Sequence, residues 1–175
     1  NLVRNPEDIF NDLVKQIRSI ILTSRKKVYE VINNESLKTY WDIGKQIIEK
    51  EQEGNLRAKY GSQLLIKLSK QLTKDLGKGF SRSNLQNMRN FYVAYPNCQT
   101  VSGNLKWSHY CELLSLEDKD KRSFYEQESI NSSWSVRELQ RQIDTSLFER
   151  LLLSDGKANK QTVLKLSQQG QILET

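Results

Sequence analysis

Three observations in the sequence predict an all-α fold. Apolar residues recur at three- and four-residue intervals through most of the chain, the spacing that lines one face of a helix. No strand-like alternation of apolar and polar residues persists in any stretch. Residues that start and stop helices punctuate the pattern: Asn5-Pro6, Gly54, Gly77, Ser81, Pro96, and Ser135 followed three positions later by Glu138.

Asn5, Pro6, Glu7 and Asp8 open the first helix, with proline in its first turn and acids where the helix dipole favours them. Phe10, Leu13, Ile17, Ile20, Ile21, Val28, Val31 and Ile32 then keep a near-heptad spacing, broken by the polar patch at 23–27. The Asn33-Asn34 pair reads as its end. A second helix is expected over residues 35–53, with Leu37, Tyr40, Trp41, Gly44, Ile47 and Ile48 on one face, and Gly54 closes it. Gly44 among large side chains predicts a close helix crossing. Residues 1–54 thus read as long N-terminal helices that pack on each other or, through the seam at 10–32, on a second chain, so a homodimer is expected.

Residues 55–96 form the most distinctive stretch. Between Arg57 and Tyr95 there are eight basic residues against the single acid Asp75, a local charge of +7, whereas the remainder of the chain carries 19 basic and 20 acidic groups. A local excess of that size suits a polyanion. Leu64, Leu65, Leu68, Leu72 and Leu76 line one face of a helix, and Lys59, Lys67, Lys70 and Lys74 share its far side. Gly77 suits the left-handed end of that helix, and Lys78, Gly79 and Phe80 make a short turn. Ser81 is placed as the N-cap of the next helix, with Phe80 and Leu85 as a hydrophobic staple. Leu85, Met88, Phe91, Tyr92 and Tyr95 form that helix's apolar stripe, and its opposite face shows Arg82, Ser83, Gln86, Asn87, Arg89 and Asn90. Two helices joined by a short glycine-containing turn have the form of a helix-turn-helix, and Arg, Asn, Gln and Ser have the donors and acceptors that read base edges. The expected DNA contacts are Lys67, Lys70, Lys74 and Lys78 to the backbone, and Arg82, Ser83, Gln86, Asn87, Arg89 and Asn90 along the second helix. A purely packing hairpin with a solvated lysine stripe is the alternative.

Residues 97–105 lack periodicity and mark the expected internal boundary. Three capped helices are expected over 97–153: one headed by Ser108, one with Ser115 and Asp118 as capping box, and one with Trp134 stapled on Leu139 and Ser135 boxed with Glu138, its stripe continuing through Ile143, Leu147 and Leu151. Arg137 and Arg141 lie a turn apart there, most simply as a solvated pair beside Glu138. Residues 154–175 are polar and read as a linker or arm.

The chain has 175 residues with 37% hydrophobic and 27% charged, enough for one ordinary soluble domain or two small helical ones. No run approaches the ~20 apolar residues of a membrane span, no signal pattern opens it, and a cytoplasmic location is expected. Cys98 and Cys111 suggest no disulfide framework, and with His109 they do not complete a zinc site. No catalytic residue, metal or cofactor is assigned.

The words WDIGKQIIEKEQEG, AKYG, LSKQL, GKGFSRSNLQNMRNFY, LKWSHYCELLSLED and WSVRELQRQIDTSLFERL, in this order, resemble the N-terminal domain of the YhcG-type proteins over roughly residues 39–153. The resemblance implies an all-helical bundle with a helix-turn-helix-like DNA-binding unit, preceding a PD-(D/E)XK nuclease domain in bacterial proteins. Residues 107–143 are also similar to the helical DNA-binding core of ParB-like partition proteins. The strand-borne acidic site of such a nuclease is missing here: Glu117-Asp118-Lys119 fits the letters but lies at a helix start. The chain opens on Asn1 and is expected to be a piece of a longer protein, with residues 154–175 leading toward the nuclease half. Two functions remain open on the sequence: a module that delivers a nuclease to double-stranded DNA, or an oligomerisation and partner-binding module without direct DNA reading.

Overall fold

The computed structural model describes residues 5–54, 59–154 and 160–172. Among them are eight complete α-helices and no strand: α1 Pro6–Gln52, α2 Leu64–Leu76, α3 Arg82–Ala94, α4 Trp107–Leu114, α5 Lys119–Asn131, α6 Val136–Asp144, α7 Leu147–Ser154 and α8 Lys160–Gln168. Short 3-10 turns occupy Gly61–Gln63 and Cys98–Thr100. No helix among the described residues is long and apolar enough to cross a membrane.

The first correction to the sequence reading is that α1 does not stop at Asn33-Asn34. It runs 47 residues, roughly 70 Å at 1.5 Å per residue. Asparagine costs only a fraction of a kcal/mol inside a helix, so a tertiary contact readily overrides it. Here Asn33 Nδ2 donates to the carbonyls of Gly103 and Leu105, both at 2.9 Å. Gly103 lies so close that a Cβ on it would come within 1.9 Å of Asn34 Oδ1. The pair is a docking point for the 101–106 loop.

Gly44 makes the close crossing expected of it. A Cβ there would stand 2.0 Å from the carbonyl oxygen of Met88 and 3.1 Å from Tyr92 Cβ, so only glycine lets α1 and α3 approach this far. Around the crossing, Ile47, Leu65, Leu85 and Met88 form one buried cluster. A larger core gathers Leu37, Phe91, Tyr95, Leu105, Tyr110, Leu113, Phe124, Tyr125, Leu139, Phe148, Val163 and Ile172. Those residues come from both sides of the expected boundaries at 96/97 and 153/154. The 97–105 stretch, expected as the internal boundary, is likewise packed on its neighbours: Leu105 is buried and Tyr110 Oη donates to Ser102 O at 2.9 Å.

Several ends of the later helices also differ from expectation. Helix α4 begins at Trp107, because the Lys106 N–H donates to His109 Nδ1 at 3.2 Å; His109 Nε2, 2.8 Å from Trp134 O, then carries the proton and donates there. Helix α5 is capped by Asp118 alone, which accepts from the amides of Asp120 and Lys121, while Ser115 turns back onto Glu112 O. Ser135 caps α6 as expected, accepting from Glu138 N at 3.1 Å. The stripe expected to continue through Leu151 is split between α6 and α7. Buried Tyr125 causes the split: its hydroxyl donates to Gln142 O at 3.1 Å and accepts from Phe148 N at 3.2 Å, satisfying one helix end and the next helix start together. Residues 160–172, read as linker or arm, belong to the body. Val163, Ser167 and Ile172 are buried, Ser167 Oγ donates to Glu128 Oε1 at 2.7 Å, and Asn131 Nδ2 donates to Ser167 O at 2.7 Å.

Candidate nucleic-acid interface

The α2–turn–α3 unit owes its shape to two glycines and one asparagine. Gly77 and Gly79 have φ of 89° and 109° with open space where a Cβ would be, so conformation and not packing requires glycine at both. Ser81 then caps α3 by accepting from Asn84 N at 3.2 Å, and Phe80 packs on the cluster that contains Leu85, in the staple arrangement. Asn84 ties the turn to the rest of the molecule. Its Nδ2 donates to Gly79 O at 2.6 Å, and its Oδ1 accepts from Trp107 Nε1 at 2.9 Å. Trp107 in turn lies 4.6 Å from the Tyr40 ring of α1 and 5.1 Å from the Phe91 ring of α3. The sequence reading missed both Asn84 and Trp107. The available signal was an amide-bearing residue three positions after a capping serine, in the N3 slot of the helix.

On α2, Leu65 is buried and Leu64, Leu68 and Leu72 are half-buried, but Leu76 is 67% exposed, so the apolar stripe ends a turn earlier than expected. Lys67, Lys70, Lys74 and Lys78 are exposed. Among the described residues no ion pair involves any of the four. Asp75, the single acid between Arg57 and Tyr95, accepts from Gln71 Nε2 at 3.0 and 2.9 Å. The Lys67 ammonium sits 4.7 Å from the Tyr60 ring centre.

The polar residues of α3 divide into two groups. Arg82 and Ser83 are exposed, and Gln86 and Asn90 are half-buried and joined by a Gln86 Nε2 to Asn90 Oδ1 hydrogen bond of 2.9 Å. At 100° per residue Arg82, Gln86, Asn90 and the exposed Val93 fall within about 80° of one another, an open face. The other two lie on its flanks. Arg89 Nε donates to both carboxylate oxygens of Glu51 on α1, at 3.1 and 2.9 Å. Asn87 is half-buried beside the Cys111 thiol of α4; burial pushes that thiol up to about 11, and the Asn87 amide pulls the other way.

The remaining charged motifs serve helix ends. Arg141 pairs with Glu138 at 2.7 Å, and Arg137 is exposed. Asp118, from the Glu117-Asp118-Lys119 run, pairs with Lys160 at 3.0 Å, and that contact, with the amides it caps, holds its carboxyl below the usual range. Among the described residues no group of three His, Cys, Asp or Glu side chains is placed to hold a metal ion.

The profile of the DUF1016 N-terminal domain matches residues 16–150. The chain is also similar to the Escherichia coli (strain K12) protein described as "Putative nuclease YhcG", 37% identical over 171 residues, which covers 79% of this chain and 46% of the relative. It therefore spans about half the length of the curated relative it matches. No solved structure matches it.

Proposed function

The chain belongs to the DUF1016 N-terminal domain family, and from that premise we propose that it is a DNA-binding module that brings a nuclease to duplex DNA. One observation carries the reading. Four lysines with no ion-pair partner among the described residues, on α2 and its turn, adjoin the open polar face of α3, the two helices being joined by the five residues 77–81. Surface cations without an ion-pair partner add little to the fold, whereas each one that neutralised a phosphate would release a counterion from the DNA. Lys67, Lys70, Lys74 and Lys78 would contact the backbone, and Arg82, Ser83, Gln86 and Asn90 would reach base edges. Arg89, engaged by Glu51, and Asn87, beside Cys111, would set the pose of α3 on its neighbours. The relative's printed description is that of a nuclease, and the cleavage step belongs in this reading to the portion of such a protein outside this chain.

A titration of the chain with duplex DNA at several salt concentrations tests this. The logarithm of the binding constant should fall linearly with log salt, with a slope of roughly three to four in magnitude if most of the lysines engage. Absence of binding at low salt, or a slope near zero, would overturn it. The chain alone should leave DNA uncut with Mg²⁺ or Mn²⁺.

A further inference from the structure

The first half of α1 carries a surface that nothing among the described residues covers. Ile9, Phe10, Leu13, Val14, Ile17, Ile20, Ile21, Leu22, Val28, Val31 and Ile32 are all exposed, several by more than half. The stripe formed by Phe10, Leu13, Val14, Ile17, Ile20, Ile21, Val28, Val31 and Ile32, at fractional exposures from 37% to 69%, leaves on the order of 900 Å² of residue surface open. That exceeds the patches ordinary monomers show and matches one partner's share of a stable interface.

Its direction is informative. Gly44 marks the side of α1 that rests on the body. At 100° per residue, Lys26, Glu30 and Asn33 lie on that same side, where the groove toward Gly103 and Trp107 begins. Phe10, Ile17, Ile21 and Val28 lie about 180° away. From Phe10 to Val28 the stripe therefore faces away from the body, and only Ile32 at its end borders the groove toward Gly103 and Trp107. Its repeat puts Val14, Ile21 and Val28 at one seam position and Phe10, Ile17 and Val31 at the other, with a single polar break at Ser24.

We infer that the occupant is a second copy of this chain, its α1 running antiparallel to the first. Charge along the helix selects both the partner and the orientation. At 100° per residue Glu7 in the first turn and Arg25 and Lys27 near the other end border the stripe, Arg25 lining one groove with Val14, Ile17 and Ile21, whereas Asp8, Asp12 and Lys26 lie toward the opposite side. Antiparallel pairing sets the acidic end of each copy beside the basic end of the other and opposes the two helix dipoles; parallel pairing would stack like charge on like. Lys15 lies on the body side, and Arg18 borders the stripe near the middle of the seam, so neither decides between the orientations. The surface is self-complementary, as a two-fold interface requires. None of the residues proposed to contact DNA takes part, so the inference stands apart from that reading.

Sedimentation of the 175-residue chain should give twice its 20.4 kDa mass. The variant combining Ile17→Asp with Ile21→Asp should sediment as a monomer, and because both side chains are exposed the near-ultraviolet signal of the body's aromatic core should be unchanged. Orientation is read by disulfide trapping with Cys98→Ser and Cys111→Ser in place. Ile17→Cys, near the middle of the stripe, should join to its own copy, and Phe10→Cys, at the end, should not. A monomeric mass for the unaltered chain at every concentration would overturn the inference, as would a dimer that survives the two aspartates. Trapping of Phe10→Cys as fast as Ile17→Cys would overturn the antiparallel arrangement.

Discussion

The two halves of α1 have similar apolar periodicity and opposite fates. In the second half Leu37 and Ile47 are 3% and 6% exposed, and Trp41 donates from Nε1 to Tyr95 O at 2.6 Å while meeting Tyr92 edge-on. In the first half Ile20 and Val31 are 69% and 68% exposed. One residue accounts for much of the contrast: Gly44 lets the second half seat on α3, and the first half simply outruns the body. An amphipathic stripe announces that a face will be covered, without saying by what. Stability and assembly should therefore sit in separate halves of a single helix, and substitutions should tell them apart.

The largest effect is expected where the backbones touch. Gly44→Leu drives side-chain atoms into the Met88 carbonyl and should cost about 4 kcal/mol, or prevent folding, in urea denaturation. Ile17→Ala on the bare half should leave the body's unfolding free energy within about 0.5 kcal/mol when measured on monomer. Equal losses at the two positions would erase the distinction between the halves.

Next in size, Asn84→Ala should cost about 2 kcal/mol, because it strands the Trp107 indole N–H and releases the Gly79 carbonyl. It should weaken DNA binding as well, whereas no substitution on residues 9–32 should do so at a fixed oligomeric state. A thermal melt and a binding titration on the same variant give both readings.

On the open face of α3, Gln86→Ala and Asn90→Ala should each cost roughly 1–3 kcal/mol on a preferred duplex and almost nothing on random DNA. Because the two side chains are bonded to each other, the double variant should fall short of the summed losses. Lys70→Ala and Lys74→Ala should instead weaken binding to any duplex and lower the salt slope by about one unit each. If all four leave DNA binding unchanged, the oligomerisation reading replaces the DNA-binding one.

The smallest effect concerns pH. Burial raises the carboxyls of Glu126 and Glu128 above the ordinary glutamate value, against the pull of the Tyr95 hydroxyl and Arg122 on the first and of Ser167 on the second. A raised native value means that the folded chain holds the proton more tightly than the unfolded one. These two groups therefore make stability fall as pH rises from the ordinary glutamate value through the raised one. Glu128→Gln, which keeps an acceptor for Ser167, should flatten that slope in denaturation curves taken at several pH values.

Local features were legible in the sequence. The all-α class followed from periodicity, the caps at Ser81 and Ser135 from residues that satisfy amides only three positions away, and the crossing at Gly44 from a missing side chain among large ones. The surplus of lysines on α2 was also legible, since it depends on composition alone. Of the ten residues expected at the interface, eight lie on exposed or open surface, while Arg89 and Asn87 are drawn to Glu51 and Cys111 by partners 38 and 24 positions away.

What the tertiary structure alone decided are the contacts whose partners lie far along the chain. Asn33-Asn34 looks like a helix end until the Gly103 and Leu105 carbonyls stand opposite it, and α6 and α7 look like one helix until Tyr125 takes the groups at both ends of the break. Residues 160–172 look like a linker until Glu128 and Asn131 bind Ser167. In each case a local preference worth a fraction of a kcal/mol yields to buried hydrogen bonds worth about one each, and only the folded chain brings those partners into reach.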